Sequence, residues 1–194
     1  MKKICLIFAG ILLFSGILCA KKIIPLDIEK GGMFDDNTEQ VEAALSEDNL
    51  GTNATTSEKV VYPAEGGWAG LWMPKKAAWE GIKTLTCFIY NANSKNVKLS
   101  FVIKDRSHVG GNSGRGKEGW EARKTWSIVP LDLKPGMNEV KVDINAMKTQ
   151  EGKALDLSMV KHWGFYYRFF PELEWEEKAA EPFTMYLSKI KLED

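Results

Sequence analysis

Three short stretches place apolar residues among mostly polar neighbours with a period of two: Leu85, Cys87 and Ile89 in TLTCFIY, Leu99, Phe101 and Ile103 in KLSFVIK, and Val140, Val142 and Ile144 in EVKVDI. Successive side chains of a strand point to opposite faces, so each stretch reads as a strand with one face on a core. Further strands are predicted around Ile23–Leu26, Lys59–Tyr62, Trp68–Met73, Trp120–Val129, His162–Phe169 and Phe183–Leu192. Helix is confined to a turn or two in TEQVEAAL, near Thr38, and LDLSMVK, near Leu155. Short strands separated by turns such as LKPGMN predict an all-β fold, an antiparallel β-sandwich. No repeat or linker divides the chain, and the acidic PELEWEEKAAEP, Pro171–Pro182, reads as one long solvated loop.

The first twenty residues have a different character. MKKICLIFAGILLFSGILCA starts with Lys2 and Lys3, continues as an apolar run from Ile4 to Leu18, and ends on the small residue Ala20. That is the layout of a secretory signal peptide, residues 1–20, followed by a single domain, residues 21–194. The apolar run is short for a bilayer span and the chain turns polar at once. Cys19 opens a second reading, a lipoprotein anchor and hence a membrane attachment, against which stands the bulky Leu18 just before it. Either way the expected location is secreted or periplasmic.

The expected mature chain keeps 174 of the 194 residues, enough for one sizeable core. The full chain has 26 basic and 26 acidic residues, and the signal removes two lysines and no acid. A near-neutral surface gives no electrostatic reason to bind nucleic acid or anionic lipid. Of the three cysteines only Cys87 surely survives processing, so no internal disulfide is expected and the core must hold the fold. Oligomeric state is left open by the sequence.

Enzyme readings find little support. GRGKEG, Gly114–Gly119, has the spacing of a dinucleotide fingerprint but lies between two strands instead of opening a helix. His108 and His162 are the only histidines, too few for a His- or Cys-rich catalytic metal site. GNSGRG lacks the G-x-S-x-G elbow of a serine nucleophile. Glu172, Glu174, Glu176 and Glu177 form a charge run read as solvated loop, and a converging carboxylate pair for glycoside hydrolysis stays an open third possibility.

Tryptophan is concentrated: GGWAGLWMP and Trp79 place three of the seven within twelve positions. Trp68 and Trp72 share one strand face, while Leu71 and Met73 take the other and are the cheaper core pair. Both rings are expected to be at least half buried, and Trp79 to plug the core. Cys87, in phase with Leu85 and Ile89, is expected to be a buried, unreactive thiol.

The order GGWAGLWMP, WEGIKTLTCFIYNAN, LSFVIKDR, LDLKPGMNEVKVDI, LDLSMVKHWGFYY, TMYLSKIKL resembles the galactose-binding-like jelly-roll domains found as carbohydrate-binding modules, over roughly Val60 to Leu192. The resemblance implies a secreted, non-catalytic, glycan-binding role, with polysaccharide as partner and no nucleic acid. It further implies a sugar held on the concave face of one sheet, where aromatic rings stack on pyranose C–H groups and polar side chains bind the rim hydroxyls. The carbohydrate-binding residues it points to are Trp120 and Trp126, in phase with each other, Tyr166 and Arg168 in GFYYRFF, and Asp105 and Arg106 at the end of a neighbouring strand. The alternative for Trp126 and Tyr166 is sheet surface covered by a loop. That would suit a structural or assembly protein of the bacterial cell envelope that uses the same sheet for protein contacts. The family's closing strand often carries an aspartate that helps to hold a structural calcium; here Ser188 stands in its place, followed by Lys189. A hydroxyl beside a lysine is a poor site for a hard cation, so no cofactor is expected, although Asp27 and Glu29 could supply oxygens.

Overall fold

The computed structural model describes residues 23–26, 41–48, 50, 54–63, 69–73, 76–107, 124–167 and 181–194. Ten strands run through them: β1 (Ile23–Leu26), β2 (Glu42–Ser46), β3 (Ser57–Tyr62), β4 (Ala69–Met73), β5 (Thr84–Asn91), β6 (Val97–Lys104), β7 (Trp126–Leu133), β8 (Gly136–Asp143), β9 (His162–Tyr167) and β10 (Phe183–Glu193). They form two antiparallel sheets. The first has the order β2–β3–β10–β5–β8, with β1 pairing the far half of β10; the second has the order β4–β9–β6–β7. No helix occurs among the described residues. The expected helical turn in TEQVEAAL is corrected in its described part, where Glu42–Ser46 pairs with β3; LDLSMVK forms turns and isolated bridges. In both places a partner strand competes for the backbone groups and overrides a weak local preference for helix.

The sheets face each other across one core. Leu85, Cys87 and Ile89 of β5, Val140 and Val142 of β8 and Phe183, Met185 and Leu187 of β10 come from the first sheet. Leu71 and Met73, Phe101 and Ile103, Trp163 and Phe165 meet them from the second. Trp79 plugs this core, 2% exposed, and packs its ring 5.6 Å from that of Trp163. Cys87 is a free, buried thiol whose pKa burial pushes up, as its phase foretold. The Tyr62 hydroxyl crosses between the sheets and donates to the carbonyl of Phe165 at 3.1 Å.

Two local sequence signals explain how the strands are aligned. In LDLKPGMN the chain turns at Gly136, whose φ of 85° lies where a side chain would be strained. The Asn138 carboxamide accepts from the Lys134 amide and donates to the carbonyls of Lys134 and Gly136, closing the turn between β7 and β8. In β10 the inward phase runs Phe183, Met185, Leu187 and resumes at Ile190 and Leu192, with the register against β5 shifting between Ser188 and Lys191. One extra residue is accommodated by Lys189 at φ 49°, a bulge that restores the core phase.

Candidate functional site

The second sheet uses one face for the inter-sheet core, yet part of its other face is buried as well. Trp72, Val102, Trp126 and Tyr166 form a separate buried cluster there, with Ile128 against it. Strand register explains the grouping. Trp72 of β4 lies opposite Gly164 of β9, Gly164 opposite Val102 of β6, and Val102 opposite Ile128 of β7. One row along, His162, Lys104 and Trp126 are neighbours. A Cβ at Gly164 would run into the Leu71 carbonyl, and one at Gly70 would come 2.6 Å from the Tyr166 ring. These two glycines let β4 approach β9 and let the tyrosine lie across the sheet.

The rings interlock. Tyr166 stands 4.3 Å from Trp72, edge to face, and 6.1 Å from Trp126; the two indoles are 6.2 Å apart at 86°. Between the indoles runs Lys104, whose Nζ is 4.2 Å from the Trp72 ring and 3.9 Å from that of Trp126. Lys104 is 1% exposed. An ammonium held in the corner between two desolvated indole faces gains on the order of 2 kcal/mol from their quadrupoles. His162 borders the same cluster, its ring 6.2 Å from Trp72. Partial burial, followed by the charges of Lys104, Lys76 and Lys161, holds its pKa below the usual histidine range. The site is therefore aromatic at its centre and cationic at its His162 end.

The structure gathers some of the expected site residues and places others apart. Trp126 and Tyr166 share the outer face, as their phase predicts, but they are 1% and 4% exposed and so closed rather than presented as an open platform. Trp72 is 9% exposed, in line with the expectation that it would be more than half buried. Asp105 directly follows β6 and is fully buried. Its carboxylate accepts from the Ser107 amide at 2.9 Å, from the Ser107 hydroxyl and from the Asp156 amide, both at 2.5 Å. Those bonds tie the end of β6 to the LDLS corner. Within that corner the Asp156 carboxylate in turn accepts from the amide and hydroxyl of Ser158. Arg106, next in sequence, is exposed. Trp120, Arg168, Trp68, Asp27, Glu29 and the signal segment lie outside the described residues, as does 108–119 of the glycine-rich loop.

Sequence reasoning missed Lys104. Its signal was present: in LSFVIKDR, Lys104 shares a phase with Val102, opposite to Phe101 and Ile103, and so belongs to the outer face. Ser188 is buried with its hydroxyl unpartnered among the described residues, where no group of histidine, cysteine or acidic side chains could hold a metal ion.

No protein-family model matches the sequence, and no curated protein matches it. Solved structures do. A family 11 carbohydrate-binding module from Clostridium thermocellum, in complex with a β-1,3-1,4-mixed-linked tetrasaccharide, superimposes with a TM-score of 0.50 at 12% identity. The match covers 92% of this chain and 91% of the module. The shared fold is a two-sheet antiparallel jelly roll. An exo-β-agarase matches with a TM-score of 0.53 at 10% identity over 88% of this chain but 22% of its own, and another agarase with 0.52 at 9% identity over 80% and 23%. The jelly roll thus corresponds to less than a quarter of those enzymes. At such identities the likeness is one of fold, and function must be argued from the site.

Proposed function

We propose that the protein is a non-catalytic glycan-binding β-sandwich acting outside the cytoplasm. The observation that carries this reading is the aromatic cluster of Trp72, Trp126 and Tyr166 around Lys104. A two-sheet sandwich has no need of four large side chains on the face turned away from its core, so these residues call for another role. Likeness of fold to carbohydrate-binding modules supports the same reading. The cluster serves as a rigid, dry floor. The sugar contacts are assigned to its margin: His162, Arg106 and, from the sequence, Trp120 and Arg168. Polar rim groups beside a flat apolar surface are what pyranose recognition requires. Affinity electrophoresis through β-glucan and galactan gels tests the reading. Retarded migration of the folded protein, weakened by Arg106→Ala or Arg168→Ala, supports it. Release of reducing sugar from any of these polymers would move the assignment to a glycan-cleaving enzyme.

A second reading is favoured by one specific observation, the near-complete burial of Trp126 and Tyr166. A closed face suits a structural or assembly protein of the cell envelope, in which the cluster only stiffens the second sheet. Unretarded migration in every glycan gel supports that alternative.

A further inference from the structure

The outer face of the first sheet differs from the one just described. Register places its outward residues in rows across the strands. Lys59 of β3, Tyr186 of β10, Tyr90 of β5 and Met137 of β8 form one row, and Ser188, Phe88 and Glu139 the next. Lys191, Thr86 and Lys141 form a third. Tyr90 and Tyr186 are half-buried, directly opposite each other, with ring centroids 6.2 Å apart. Neither phenol oxygen has a hydrogen bond to a described residue.

Two lysines flank the rings. Lys59 extends its Nζ to 5.9 Å from the Tyr186 centroid, and Lys189 to 6.0 Å from that of Phe88. Lys189 is the bulge residue at φ 49°, and backbone held in the left-handed region by a side-chain-bearing residue marks functional positions more often than ordinary ones. With Lys141 and Lys191, four lysines border the aromatic strip, against Glu139 as the one acid in these three rows among the described residues. The acids of this face stand at its ends, Glu42 at one and Asp143 and Glu193 at the other. In the second row the hydroxyl of Ser188 is buried with no described partner, which leaves a polar atom unsatisfied beside the strip.

We propose that this face is a second binding surface, separate from the aromatic cluster of the other sheet, and that its ligand is an extended acidic polysaccharide with uronate carboxylates. Tyr90 and Tyr186 offer half-open ring surface to sugar C–H groups, and the bordering lysines supply the counter-charge. Lysine is a mobile point charge on a flexible stem, able to follow carboxylates spaced along a polymer.

Affinity electrophoresis of the full chain in gels containing polygalacturonate or alginate tests this. Retarded migration is expected. Lys59→Gln with Lys141→Gln, both at exposed positions, should lower affinity several-fold and flatten its dependence on salt, because fewer charges are then screened. Tyr186→Ala should lower it about tenfold at unchanged salt dependence, with its melting temperature recorded to confirm folding. Lys148→Gln, an exposed lysine outside this face, should leave binding to these polymers unaltered. The proposal is overturned if the folded wild type runs unretarded in both gels. It is equally overturned if Tyr186→Ala and the lysine pair bind like wild type, or if the protein binds anionic lipid vesicles and neither polymer.

Discussion

The two outer faces of this sandwich carry similar residues in opposite states. On the second sheet Trp72, Trp126 and Tyr166 close around a buried Lys104, whereas on the first Tyr90, Tyr186 and Phe88 stay half-open, with a lysine over Tyr186 and another over Phe88. The same pairing of ring and ammonium therefore works as core in one place and as surface in the other. Burial decides which: a lysine held at 1% exposure against two indoles is fixed structure, while Lys59, at an exposed position, keeps its ammonium at the surface. The contrast teaches that an aromatic residue on the outward phase of a strand does not by itself define a platform.

The comparison breaks most readily at Trp126. If the cluster is a true second core, Trp126→Ala costs roughly 3–5 kcal/mol, read as a fall in the denaturant midpoint. A loss near zero would mean that the indole is exposed in solution and the two faces are alike. Tyr186→Ala on the open face should cost only about 0.5–1.5 kcal/mol, the worth of a half-exposed cross-strand aromatic pair. A cost equal to that at Trp126 would erase the distinction.

Titration sharpens the contrast more gently. His162, beside the closed cluster, has its pKa depressed by burial and by neighbouring lysines, so its contribution to stability is present above the ordinary histidine range and lost as pH falls through it. Glu58 lies at the other sheet on the core phase of β3, with one carboxylate oxygen buried and unpartnered among the described residues. Burial raises its pKa, so its contribution is full below the ordinary glutamate range and lost as pH rises. Melting temperature against pH should therefore decline less on the acid side in His162→Gln, and less toward neutrality in Glu58→Gln. Identical profiles in both variants and the wild type would contradict these assignments. The smallest effect is expected at Cys87: its buried thiol, with raised pKa, should resist a thiol reagent until the protein unfolds.

How far the sequence could be read follows from which quantities are local. TLTCFIY, KLSFVIK and EVKVDI declared their inward residues because alternation is a property of neighbours in the chain, and Trp72 and Leu71 were sorted to opposite faces on the same ground. The LKPGMN turn was visible because a glycine and an asparagine supply the conformation and hydrogen bonds that it needs. Register is not local. The meeting of Tyr90 with Tyr186, and of Lys104 with Trp72 and Trp126, depends on strands 96, 32 and 22 positions apart in the chain being aligned residue by residue. Exposure is less local still, so the phase of Trp126 was legible while its closure was not. Asp105 shows a further limit: a carboxylate at a strand end suits a sugar rim, and only its three internal donors reveal that it is engaged in holding the corner.

The central claim is that this jelly roll binds glycan, and the most direct measurement is native affinity electrophoresis of the full chain, after confirming a cooperative thermal transition. Gels would contain in turn a mixed-linked β-glucan, a galactan, polygalacturonate and alginate. The account predicts clear retardation in at least one of the four relative to a polymer-free gel, with no reducing sugar released. Migration of the folded protein at its polymer-free rate in all four would contradict it and leave the envelope-assembly reading in its place.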